Sequence, residues 1–136
     1  MYHFRTKEAL MVALVDEVVD GWERELTGRL HVPLSEAPQD RLRSYLDWSL
    51  SGTFDVADLV MLTDPRLRDR LTARWAERLG PWLEIPDALP SAMRGRLTSV
   101  RLIADGAWFA DATGTFPLSP DERARVREVA DRLLGH

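Results

Sequence analysis

Apolar residues recur along this chain at spacings of three and four, the pattern of helices that bury one face, and no segment sustains the period-two alternation of a strand. An all-helical protein is predicted. The first helix spans about residues 7–28, with Leu10, Leu14, Val18, Trp22 and Leu26 in one stripe and Met11 and Val15 widening it. Thr6 stands where an N-cap hydroxyl can accept an orphan amide proton, and Glu8 places negative charge in the first turn, where the helix dipole favours it. Phe4 is positioned to pack back onto Leu10 or Met11 as a hydrophobic staple does.

Gly28 and the segment 31–39, with Pro33 and Pro38, break this helix. A second helix follows to about residue 51 through Leu42, Tyr45, Leu46 and Trp48, and Gly52 ends it. Residues 55–63 are apolar on several sides, which predicts a short buried helix crossing the middle of a bundle. Asp64-Pro65 reads as the start of a fourth helix running to about residue 83, with Leu67, Leu71, Trp75 and Leu79 at intervals of four and Trp82 close by. A fifth helix is expected over 91–113 before Gly114, and Ser119-Pro120-Asp121-Glu122 is a capping box opening a sixth.

At 136 residues and 45% hydrophobic content the chain supports one domain with a real core. It has no cysteine, which excludes a disulfide framework, thiolate metal sites and a cysteine nucleophile. No run approaches a membrane span and the N-terminus has no signal-peptide pattern, so a cytoplasmic location is expected, with no membrane partner. The net charge of −4 disfavours attraction to a phosphate backbone by the chain as a whole. His3, His31 and His136 are scattered, so neither metal nor catalytic spacing arises, and no nucleophile elbow or glycine-rich phosphate loop is present. Neither a cofactor nor an enzymatic activity is expected.

The opening string, with His3, Phe4, Thr6, Lys7, Glu8 and Leu10, closely resembles the junction of TetR-family transcriptional regulators, where the DNA-recognition helix ends and the next helix begins. Ala104-Asp105-Gly106-Ala107-Trp108-Phe109-Ala110, followed by Pro117-Leu118-Ser119-Pro120, is similar to the family's penultimate helix and the turn after it. The resemblance implies a six-helix C-terminal domain over residues 6–136, with residues 1–5 a remnant of the recognition helix. It also implies a homodimer in which the last two helices of each subunit form a four-helix bundle. Ala107, Ala110, Val126, Val129, Ala130 and Leu133 would then face the partner. Family positions matching Tyr2 and Lys7 touch DNA phosphates, a role that here requires an intact protein with its helix-turn-helix.

Six aromatic or thioether side chains from different helices, Trp22, Trp48, Phe54, Met61, Trp75 and Trp108, are candidates to line a cavity between helices. Arg101 and Asp105 sit four apart in an otherwise apolar run, able to pair as a structural ion pair or to orient a polar group of a ligand. Gly106 in mid-helix costs about 1 kcal/mol relative to alanine, which points to close helix approach or room for a ligand. Arg66, Arg70, Arg74 and Arg78 form a ladder interleaved with Asp69 and Glu77, read as a solvated face. The resemblance implies the effector-binding and dimerisation part of a TetR-like repressor that senses a small, largely apolar molecule. The alternative is a stand-alone helical ligand-binding or scaffold dimer with no DNA role.

Overall fold

The computed structural model describes residues 6–34 and 36–135. Five α-helices and one 3-10 helix follow one another without a strand among the described residues: α1 (Lys7–Arg29), α2 (Pro38–Ser49), η1 (Val56–Leu62), α3 (Arg68–Leu83), α4 (Ser91–Thr113) and α5 (Pro120–Leu133). The all-α architecture expected from periodicity is the one observed. Phe4, Tyr2, His3 and His136 lie outside the described residues, so the staple and the recognition-helix remnant are not described.

Local signals set the helix ends. Thr6 Oγ1 accepts from the Ala9 amide at 3.0 Å, and Ser119 and Glu122 close a reciprocal capping box at the start of α5. Gly114, with φ 69°, takes the left-handed conformation that ends α4. Asp64 behaves differently from the expected N-cap. Its carboxylate takes the Arg66 amide at 2.9 Å and the Lys7 ammonium at 2.8 Å, so it closes a turn and α3 begins only at Arg68.

The segment expected to be a buried helix is instead a 3-10 helix at the edge of the bundle, kinked at Leu59. Its three-residue turn gives it one narrow inner side. Val60 and Met61 are buried there, whereas Val56 is 71% exposed. Asp55 and Asp58 cap it reciprocally.

In the core, α2 packs on α4 and α1 on α3, η1 touches α1, α3 and α4, and α5 lies against α4. The buried stripe of α1 is Met11, Val15, Val19, Trp22 and Leu26, while Leu10 and Leu14 are exposed. The physical reason is drift: at 3.6 residues per turn, a strict repeat of four walks about 40° around the helix at each step. Leu10 and Leu14 therefore rotate away from the face that holds Trp22.

The arginine ladder of α3 is not a free solvated face. Arg74 grips Asp16 at 2.8 Å, Arg78 reaches Asp16 at 3.1 Å and Asp20 at 2.5 Å, and Arg70 pairs with Glu8, stapling α3 along α1. The Arg74 hydrogen bond first, and the Arg78 guanidinium after it, hold the Asp16 carboxyl below its ordinary range. A depressed folded-state pKa gives stability that is present above the unfolded value and is lost as pH falls through the folded one. The resistance of the wild type to urea is therefore expected to fall more between about pH 5 and pH 3 than that of Asp16→Asn. The difference should stay below about 1 kcal/mol, because these groups are partly solvated. Parallel pH profiles for the two proteins would contradict the assignment.

Candidate functional site

Trp22, on the buried stripe of α1, stands at the centre of an aromatic cluster and is 2% exposed. Its ring centroid lies 4.9 Å from Trp75, 5.1 Å from Phe54, 5.2 Å from Trp108 and 6.3 Å from both Tyr45 and Trp48. Most of these pairs are tilted or edge-to-face, the arrangements that ring quadrupoles favour. Its indole N–H donates to Asp58 Oδ1 of η1 at 2.8 Å, which leaves no buried polar atom of Trp22 unpaired.

Two clefts lie on either side of this aromatic wall. The first, about 780 Å³, is bounded by α1 through Leu14, Val18 and Trp22, by Trp48 at the end of α2, and by Phe54 and η1. The second, about 690 Å³, runs between α2, α3 and α4 and is lined by Tyr45, Trp75, Arg101, Asp105, Trp108 and Phe109 among others. Both volumes suit a small organic ligand. The eight residues expected to share one cavity thus divide. Trp22, Trp48 and Phe54 line the first cleft, and Trp75, Arg101, Asp105 and Trp108 the second. Met61 is buried in the core and lines neither.

The second cleft contains a short polar chain. Trp108 Nε1 donates to Tyr45 Oη at 2.9 Å, and Tyr45 Oη donates to Asp105 Oδ1 at 2.5 Å. Burial first, and the Asp105 carboxylate after it, push the Tyr45 phenol well above its ordinary pKa, so it serves as a donor. Arg101 and Asp105 do not pair, contrary to their spacing. Asp105 is taken by Tyr45 from a neighbouring helix, and Arg101 makes no ion pair among the described residues. Tyr45 was not a candidate, because in sequence it is indistinguishable from the other apolar positions of α2. Of the stripe predicted for α1, Leu14 is exposed at the cleft rim, and Val18 both packs against the core and lines the cleft.

The residues expected at a dimer interface also divide. Ala107 and Ala130 are covered by their own chain, Ala110, Val126 and Leu133 are half-buried, and Val129 is 48% exposed. On α4, Leu102, Gly106 and Phe109 face outward at spacings of four and three, and a methyl group added at Gly106 would meet nothing within 4 Å. The exposed large apolar side chains of α4 and α5 are Leu102, Phe109 and Val129, and Phe109 also borders the second cleft. Lys7 is engaged with Asp64, and Tyr2 lies outside the described residues. Among the described residues no helix is long and apolar enough to cross a membrane.

Residues 39–134, from the start of α2 to the end of α5, match the family described as the tetracyclin repressor-like C-terminal domain. No curated protein and no solved structure matches the chain. The family match covers every helix around the second cleft and the outward face of α4 and α5. With its all-helical order and bounds, the chain belongs to the tetracycline repressor-like C-terminal domain family, a family of transcriptional regulators.

Proposed function

We propose that this chain is the effector-binding and dimerisation part of a cytoplasmic transcriptional repressor that senses a small, largely apolar molecule as a homodimer. The observation that carries this reading is that α1 itself forms one wall of the first cleft, through Leu14, Val18 and Trp22. An occupant of that cleft would press on α1, which the arginine ladder ties to α3. Residues 1–5, read as the tail of a recognition helix, immediately precede α1 in the sequence. Movement of α1 would then alter operator affinity in a protein carrying the helix-turn-helix, where Tyr2 and Lys7 contact phosphates. In thermodynamic terms the ligand needs only a different affinity for the two positions of α1. Dimerisation uses the exposed apolar residues of α4 and α5, Leu102, Phe109 and Val129, together with the half-buried Ala110, Val126 and Leu133.

One experiment tests both halves. The chain is titrated with the neutral apolar dye Nile red and sized by light scattering at micromolar concentration. A dimer is expected, with tryptophan fluorescence quenched to saturation by the dye. Phe109→Glu combined with Val129→Glu is expected to give a monomer that still binds the dye. A wild-type monomer that leaves the dye free would remove the reading.

A further inference from the structure

The first cleft holds a carboxylate that its own chain does not neutralise. Asp58 is half-buried in the lining, with Oδ1 accepting from Trp22 Nε1 at 2.8 Å and Oδ2 from the Asp55 amide at 3.0 Å. Both donors are uncharged. No arginine or lysine lies within ion-pair distance of it among the described residues. A carboxylate in this setting attracts a positive group, because attraction strengthens as water is excluded.

The walls around Asp58 favour the same partner. Trp22, Trp48 and Phe54 present ring centroids 4.9–6.3 Å apart, and aromatic faces attract cations within about 6 Å. Trp48 already holds one cation from its own chain, with the Arg29 guanidinium carbon 5.2 Å from its centroid. Of the other charges at the lining, Glu25 is neutralised by Arg29 at 3.0 Å, whereas Glu17 is exposed and has no ion-pair partner among the described residues. Arg24 is the one cation of the lining and is exposed at the rim. Glu17 and Asp58 against Arg24 leave a single net negative charge, which suits one positive charge and not several.

We propose that the first cleft takes an organic monocation with an apolar body, a protonated or quaternary amine whose charge lies near Asp58 and whose body fills the aromatic walls. This rests on the first cleft being the effector site. It narrows the effector from an apolar molecule to a lipophilic cation.

The test compares two ions of nearly the same shape and opposite charge, tetraphenylphosphonium and tetraphenylborate, by tryptophan quenching, with Nile red as the neutral probe. The phosphonium is expected to bind about tenfold or more tightly than the borate. Asp58→Asn, which keeps an acceptor for Trp22 and gives up the one for the Asp55 amide, should cut that preference to about threefold or less, with Nile red affinity as the reference for any general loss of binding. Glu17→Gln, at an exposed and unpartnered site, should weaken the phosphonium alone by about twofold and decides the matter if Asp58→Asn does not fold. Equal affinity for the two ions, a preference for the borate, or a phosphonium preference unmoved by the folded variants would overturn the proposal. Nile red binding with neither ion bound would overturn it while leaving an apolar effector standing. No binding of any probe would remove both.

Discussion

Trp22→Ala is expected to destabilise the chain by about 3–5 kcal/mol, the range for truncating a buried large aromatic side chain. Trp22 joins α1 to α2, α3 and α4 through ring contacts and to η1 through its hydrogen bond to Asp58, so no single neighbour can collapse into the space it leaves. Asp58 would also lose one of its two donors. Against a total stability of about 5–15 kcal/mol, a loss of this size lowers the melting temperature by roughly 10 °C or more. Trp22→Phe separates the contributions, since it keeps most ring contacts and gives up the indole donor; about 1–2 kcal/mol is expected. Urea denaturation followed by circular dichroism measures both. A cost below about 1 kcal/mol for Trp22→Ala would show that the wall between the clefts is not what holds the helices together.

Arg41→Met is expected to cost about 2–3 kcal/mol. Arg41 is 4% exposed, and its guanidinium donates to the Pro81 carbonyl at 2.8 Å and the Glu84 carbonyl at 2.9 Å. These acceptors sit at the C-terminal end of α3, where carbonyls have no intrahelical partner and the dipole favours a cation. Methionine keeps the volume and leaves both carbonyls without that donor. Burial opposes the charged guanidinium and lowers its pKa, and relief of that penalty keeps the expected loss moderate. Arg41→Lys retains the charge but not the fork, so about half the loss is expected. Hydrogen exchange of the last amides of α3 distinguishes this capping role from general packing. Those amides should exchange faster in Arg41→Met than amides of α5, and a uniform change across the chain would argue against a cap.

These two positions also mark the limit of what was legible in the chain. Trp22 is visible as a candidate, but its place at the centre of the aromatic cluster, lining the first cleft, depends on ring contacts with residues 23 to 86 positions away. Arg41 carried no signal, because an arginine that caps a distant helix looks like any other charged residue of an amphipathic segment. Arg101 and Asp105 show the opposite failure. Their spacing allowed a pair, yet Tyr45, 60 positions from Asp105, takes the carboxylate instead.

The α-helical course of the chain, the caps at Thr6, Gly114 and Ser119 and the family were determined by the sequence alone, since capping and amphipathic periodicity act within about four residues, whereas the start of α3 and the 3-10 form of η1 were not. Thr6, Gly114 and the Ser119–Glu122 box stop and start helices whatever packs against them. Only the tertiary structure decided which side of a broad apolar stripe faces inward. Leu14 and Val15, or Val18 and Val19, are equally good core residues locally, and the choice between them falls to the helices that cover one and leave the other at a cleft rim. The same holds for the arginine ladder of α3, whose partners on α1 lie about 60 positions away, and for Ala107 and Ala130, which their own chain buries.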